Sequence, residues 1–234
     1  MGKSGDYATQ YAVRSTIDYY VSHNSNVNLC ALDLSKAFDK MSHYGLFVKL
    51  MERHIPVNLL KILEMWFQTG ITCVKWGNMF SNFYQLNCGI RQGGVLSPYL
   101  FAVYIDSVID RVRKSRVGCE INLANIGILM YADDILLLAP TMLNICEVEL
   151  AWLDMTINPA KSVCLRIGPN WNSVPACIST LNGAVISWQK RFRYLDVRIV
   201  AGRVFSCSID SANAHFIGLS TPFMVKSAMS PVRK

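Results

Sequence analysis

The chain has no apolar run that would cross a bilayer. A membrane helix needs about 18 or more apolar residues. The longest stretches without charge are Trp76–Ile90, Gln92–Ile105 and Ile167–Gln189. The first two are too short, and Pro169, Asn170, Asn172, Pro175 and Asn182 break the third. Nor does Met1-Gly-Lys-Ser-Gly-Asp6 lead into the apolar core of a signal peptide. The expected setting is therefore intracellular, nucleus or cytoplasm, without membrane contact. The 8 cysteines are then expected as reduced thiols. No two of them lie close enough for a C-x₂₋₄-C zinc knuckle, so they read as small core residues. Internal repeats and low-complexity tracts are absent as well.

What is present is apolar and basic. The 234 residues are 52% hydrophobic, with a mean hydropathy of +0.25. That length suits one good-sized domain, or one domain and a fragment of another. The apolar content implies a large core, or a surface left bare by missing parts. The net charge is +7 and the pI near 9.0, which suits a polyanionic partner. The basic residues are scattered, however, and such runs are more often solvated faces than binding sites.

One stretch stands apart: Ile126-Gly-Ile-Leu-Met-Tyr-Ala-Asp-Asp-Ile-Leu-Leu-Leu-Ala139. Asp133 and Asp134 sit inside an apolar run, where ionised carboxylates are costly unless paired or bound to a cation. Short β-favouring flanks make the segment a strand, a tight turn and a strand, with the acids at the tip. A solvent-facing turn would also accommodate them. A second acid-bearing element is Val27–Asp33, a short apolar strand ending in Asp33.

The remaining elements follow from periodicity and stop signals. Tyr7–Val21 reads as a helix preceded by turn residues, with Ala8, Tyr11, Ala12, Ser15 and Tyr19 at helical spacing. A helix beginning near Ser42 carries Leu46, Phe47, Leu50 and Met51. Pro56 opens another, carrying Leu59, Leu60, Leu63, Trp66 and Phe67. Ile71–Cys88 reads as a hairpin turning at Gly77-Asn78. Gly89–Pro98 is a glycine-rich loop running into a helix, with Ser97 as N-cap and Pro98 as first helical residue. After the acid hairpin come an amphipathic helix (Ile145, Val148, Trp152, Met155) and strands over Lys161–Ile167 and Arg191–Val200. The sum is an α+β domain with acids at strand ends. If the two acid-bearing strands pair, Asp33, Asp133 and Asp134 share one patch. Such oxygen ligands suit Mg²⁺ and the two-metal phosphoryl transfer of polymerases and nucleases.

Three segments resemble motifs A, B and C of a reverse transcriptase, in that family's order. They are Leu32-Asp-Leu-Ser-Lys-Ala-Phe-Asp39, Gly89-Ile-Arg-Gln-Gly-Gly-Val-Leu-Ser-Pro98 and Tyr131-Ala-Asp-Asp134. Ile157-Asn-Pro-Ala-Lys-Ser162 resembles motif D, and Phe192-Arg-Tyr-Leu-Asp-Val197 resembles motif E. The pattern is similar to that of non-LTR (LINE-type) retrotransposons. The resemblance implies a fingers/palm fold over residues 1–200, with an antiparallel sheet carrying the catalytic acids and packed on helices. Residues 201–234 are left as a poorly defined tail. It implies an RNA-directed DNA polymerase that takes an RNA template, a DNA primer and deoxynucleotides. Two Mg²⁺ ions, or Mn²⁺ in their place, would be held by Asp33, Asp133 and Asp134. Asp39 is expected near the site but not as a metal ligand. Phe38 would be the gate that clashes with a 2′-hydroxyl. Arg91, Gln92, Gly93 and Lys161 would line the nucleotide site, and Tyr194 and Leu195 would form the primer grip. No protein partner or oligomeric state is implied.

The sequence departs from the family pattern in three places. Ala139–Asn158 is about ten residues shorter than expected between motifs C and D. Asp196 stands where motif E carries glycine. The upstream endonuclease, most of the fingers and the thumb are expected to be missing. Two other readings stay open on the residues alone: a remnant that binds RNA or a partner without turnover, and a two-metal nuclease.

Overall fold

Asp33 ends a strand in the interior of a six-stranded sheet, and most of the architecture follows from how that strand is flanked. The computed structural model describes residues 2–91, 93–121, 124–195 and 197–209. Gln92, Asp196 and residues 210–234 lie outside the described residues; within the expected tail over 201–234, Ser206–Ile209 is a strand paired with Val197–Val200.

The chain opens with α1 (Gly2–Ser22) and β1 (Val27–Leu32), then the short α2 (Ala37–Lys40), α3 (His43–Glu52) and α4 (Val57–Gln68). The Ser42 hydroxyl caps α3 by accepting the Gly45 N–H at 3.2 Å. Next come β2 (Ile71–Thr72), β3 (Lys75–Trp76), β4 (Met79–Phe80), β5 (Tyr84–Gln85) and α5 (Ser97–Lys114). A small ladder of β6 (Glu120–Ile121) and β7 (Ala124–Asn125) precedes the acid hairpin of β8 (Ile128–Tyr131) and β9 (Asp134–Leu137). A 3-10 turn (Pro140–Met142) leads into α6 (Leu143–Trp152) and then β10 (Val163–Ile167). The last strands are β11 (Ile178–Ser179), β12 (Val185–Trp188), β13 (Arg191–Tyr194), β14 (Val197–Val200) and β15 (Ser206–Ile209).

The main sheet has the order β11-β12-β10-β1-β9-β8 and is antiparallel except between β10 and β12. Alternation along its strands divides the core in two. Cys30, Leu32, Ile135, Leu137 and Cys164 face α3, α5 and α6, where Phe101, Tyr104 and Leu150 are buried. Val27, Leu29, Leu136, Leu138 and Leu165 face α1 and the three-stranded sheet β13-β14-β15. Among the described residues no helix is long and apolar enough to cross a membrane.

Several expectations are corrected. Helix α1 begins at Gly2, and it buries Val13, Thr16 and Ile17 while Tyr11 and Tyr19 are exposed. Branched aliphatic residues take the dry face, and the tyrosines keep their hydroxyls near water. The hairpin over Ile71–Cys88 is two short ladders, β3 with β4 at its tip and β2 with β5 at its base. Arg191–Val200 is a hairpin rather than one strand, and the connection before it holds β11 and β12. Ser97 lies inside the helix instead of capping it. On α6 the buried residues are Leu143, Cys146 and Leu150, while Val148 and Trp152 face out, because the 3-10 turn shifts the helical phase. The excess of apolar residues lies partly at the surface: Trp66, Trp76, Met79, Phe80, Phe83 and Trp152 are all exposed. The 8 cysteines are free thiols, of which Cys30, Cys119, Cys146 and Cys164 are buried.

Candidate active site

Strand β1 stops at Leu32 because Asp33 arrives where the sheet opens to solvent. Its neighbours on both sides are fixed by register. Cys30, Ala31 and Leu32 pair with Leu137, Leu136 and Ile135 of β9, so one further step sets Asp33 opposite Asp134. Residues directly opposite in an antiparallel pair have Cα atoms about 4.5–5.5 Å apart. On the other side the β1–β10 ladder ends at the pair of Ala31 with Val163, two residues short of Asp33 and Lys161. The Lys161 Nζ lies 4.0 Å from Asp33 Oδ2. The acid of the interior strand is thus flanked by one carboxylate and one ammonium.

The acid hairpin closes through a two-residue turn, Ala132-Asp133, between the paired Tyr131 and Asp134. Ala132 takes a φ of 51°, the positive value that tight hairpins need at the first turn position. Asp33 shares strand parity with Val27 and Leu29, and Asp134 with Leu136. Both acids therefore project on the face that packs against α1 and β13, beyond the buried part of that face. Asp133 and Asp134 are exposed.

Among the described residues, no three His, Cys, Asp or Glu side chains are close enough to hold a metal by themselves. The donor set nevertheless fits Mg²⁺, which is bound through one or two carboxylates and completed by water and substrate phosphate. Hard carboxylate oxygens opposed across one register suit that role, with Asp133 one residue away in the turn.

Asp33 is held through its main chain as well. Its N–H donates to the Ser162 hydroxyl at 3.1 Å, and its carbonyl accepts the Asn158 N–H at 2.8 Å. Ser35 N–H donates to the Thr156 carbonyl at 2.9 Å, so segments 33–35 and 156–162 run zipped together. Ser162 closes the segment that resembles motif D, and no sequence signal gives it a role of its own.

Phe38 is part-buried. The Phe38 ring lies 4.6 Å from that of Phe101 on α5, tilted by 34°. Its carbonyl accepts the Ile90 N–H at 2.8 Å, which ties motif A to the start of the glycine loop. Gly89 sits against this turn with φ +81°, and a Cβ there would be 2.7 Å from the Asp39 carbonyl oxygen. Asp39 itself is exposed. Arg91 is exposed; its carbonyl accepts the Ser97 hydroxyl at 2.6 Å, and the Gly94 N–H also bonds to it. Gly93 is exposed, with φ +80° and open space where a Cβ would go. Gln92 lies outside the described residues, so its expected place in the nucleotide path has no structural counterpart.

Tyr194 and Leu195 lie at the end of β13 and in the turn that follows it. Tyr194 is buried at 4% exposure, and its hydroxyl has no hydrogen-bond partner among the described residues. Burial, and then the charge of Asp134, push its phenol well above the ordinary range. The ring packs in the core beside the acid hairpin. Leu195 takes the strained φ of 46° at the β13–β14 turn, and its carbonyl accepts the Gln10 side chain at 2.8 Å.

A family model described as reverse transcriptase (RNA-dependent DNA polymerase) matches residues 6–199. The Retrovirus-related Pol polyprotein from type-2 retrotransposable element R2DM of Drosophila melanogaster is 28% identical over 145 residues, 62% of this chain and 13% of that protein. The RNA-directed DNA polymerase from mobile element jockey of the same organism is 23% identical over 197 residues, 79% of this chain and 21% of that protein. The chain thus spans a small part of the curated relatives it matches. Among solved structures, apo telomerase from Candida tropicalis, truncated from its C-terminal domain, aligns with a TM-score of 0.60 at 12% identity. That alignment covers 88% of this chain and 40% of the telomerase chain, and the likeness is one of fold.

Proposed function

The chain belongs to the reverse transcriptase (RNA-dependent DNA polymerase) family, and from that premise we propose that it extends a DNA primer along an RNA template with deoxynucleotides. The primer 3′-oxygen attacks the α-phosphate of the incoming nucleotide, the new phosphodiester forms, and pyrophosphate leaves. The observation that carries this reading is the place of Asp33 directly after the interior strand β1, which pairs with the acid-bearing β9 on one side and β10 on the other, with Lys161 Nζ 4.0 Å from the Asp33 carboxylate.

In this reading Asp33, Asp133 and Asp134 hold two divalent cations, Mg²⁺ in the first instance. When bound, these supply the charge that activates the attacking hydroxyl and stabilises the leaving oxygen. Lys161 offsets the negative charge beside Asp33 and faces the triphosphate. The part-buried Phe38 ring lies under the sugar and excludes a 2′-hydroxyl. Arg91, Gln92 and Gly93 line the nucleotide and template path, with glycine letting the substrate approach the main chain. The β13–β14 hairpin that carries Tyr194 and Leu195 guides the primer.

The test is extension of a DNA primer on an RNA template with Mg²⁺ and deoxynucleotides, beside Asp133→Ala. Extension by the wild type and none by the variant is expected. Equal extension by both would overturn the assignment of the acids. Salt-sensitive RNA binding by a cooperatively folded wild type that never extends would instead mark a remnant that binds without turnover.

A further inference from the structure

Ser162 is fully buried, yet it is polar and lies next to the most exposed lysine of the site. A buried hydroxyl is costly unless it is bonded. This one is bonded twice: it accepts the Asp33 N–H at 3.1 Å and donates to the Asn158 carbonyl at 2.8 Å. The Asn158 carbonyl also receives the N–H groups of Lys161 at 3.2 Å and Ser162 at 2.9 Å, closing a helical turn over 158–162. Asn158 contributes only main-chain atoms to these bonds.

The position of that turn in the sheet gives the hydroxyl its consequence. The β1–β10 ladder ends at the pair Ala31 and Val163. Continued regularly, it would oppose Leu32 with Ser162 and Asp33 with Lys161. Instead the chain before β10 curls into the 158–162 turn, and a main-chain acceptor is no longer offered to Asp33. The Ser162 side chain takes over. It fixes the Asp33 amide on one side of the turn while the adjacent residue, Lys161, carries its ammonium to 4.0 Å from the Asp33 carboxylate.

We propose that Ser162 is a positioning residue whose hydroxyl sets the orientation of Asp33 and its spacing from Lys161. The proposal rests on the reading of Asp33 as a metal-holding acid. Removing the hydroxyl leaves the Asp33 amide without its bond and frees the strand end. The carboxylate then samples orientations that do not converge with Asp134. Outer partners of metal-holding residues typically change affinity by about 10–100-fold when removed.

The test is a titration of the full chain with Mn²⁺ alone, followed by electron paramagnetic resonance of the free ion. Wild type, Asp33→Asn, Ser162→Ala and Ser162→Thr are compared. Thr180→Ala, which deletes another buried hydroxyl on a different loop, controls for loss of stability. Ser162→Ala is expected to raise the Mn²⁺ Kd about tenfold, while Ser162→Thr and Thr180→Ala stay within about twofold of wild type by the same measure. An unchanged Kd in Ser162→Ala overturns the proposal and leaves the reading of Asp33 intact. Wild-type binding that Asp33→Asn does not weaken overturns both. Should Ser162→Ala fail to fold, hydrogen exchange of the wild-type Asp33 amide decides. Slow exchange is expected for an N–H bonded to a buried hydroxyl, and exchange at the unprotected rate contradicts it.

Discussion

Gly89→Ala should be among the most damaging single-methyl additions in the chain, and its cost can be assembled from the structure. The position has φ +81°, where an L side chain costs about 1–2 kcal/mol. The added Cβ would lie 2.7 Å from the Asp39 carbonyl oxygen and 3.0 Å from its Cα. These are main-chain atoms, and they cannot step aside easily. The Gly89 N–H donates to the Met41 carbonyl at 2.8 Å, and the Gly89 carbonyl is bonded to His43 at 2.7 Å. Relief requires moving the turn that follows motif A, so overpacking adds about 1–3 kcal/mol. The total is about 2–5 kcal/mol when both contributions are taken together. Gly77→Ala is the internal control, because it has φ +59° with open space around the new methyl. It should cost only the backbone share, about 1–2 kcal/mol. Urea unfolding followed by tryptophan fluorescence measures both. With a slope of about 2 kcal/mol per molar, Gly89→Ala should lower the midpoint by at least about 1 M, and clearly more than Gly77→Ala does. Equal shifts in the two variants would refute the packing of the glycine loop against Asp39.

Three further outcomes are expected. Phe38→Ala should let ribonucleotides be incorporated by a polymerase that otherwise rejects them, as read by extension with NTPs in place of dNTPs; continued rejection would show that the ring only packs on Phe101. Tyr194→Phe deletes a buried hydroxyl without a partner among the described residues, so it should raise stability by about 1 kcal/mol, and a loss of that size in urea unfolding would mean that the phenol is bonded. Burial pushes the Cys119 and Cys146 thiols up to about 11 and about 12. Because these folded values lie above the ordinary value of 9.0, the stability they confer is complete below pH 9 and is lost as the pH rises through 11–12. The urea midpoint should therefore fall above pH 9, less steeply in Cys146→Ala, and a midpoint flat to pH 11 would contradict the burial of these thiols.

Much of the architecture was legible where the signal was local. Short β-favouring flanks around Tyr131-Ala-Asp-Asp134 marked the hairpin, and Ser42 and Pro98 marked helix starts because caps and proline act on adjacent atoms. The phase of α6 was not legible, since one 3-10 turn before it rotates the buried face and leaves Trp152 in solvent. The burial of Tyr194 was equally hidden. Motif E reads the same whether its tyrosine faces a primer or the underside of a sheet, and that choice is made by the packing of β13 on Leu136 and Leu165. At the site, the three acids and Lys161 could be named from ordered motifs. Their arrangement could not, because it depends on two registers joining segments more than a hundred residues apart. Ser162 was missed for the same reason: its bond to Asp33 exists only once β10 has paired with β1.

The most direct test of the central claim is single-turnover incorporation of one deoxynucleotide on an RNA template by wild type, Asp33→Asn, Asp133→Asn and Thr180→Ala at matched stability. If Asp33 and Asp133 form one centre across the β1–β9 register, each asparagine variant should lose at least about a thousandfold in rate, on the scale of removing a group that acts in the transition state, while Thr180→Ala retains activity. An Asp33→Asn protein that keeps wild-type incorporation would contradict the claim, because the acid flanked by both Asp134 and Lys161 would then have no part in the chemistry.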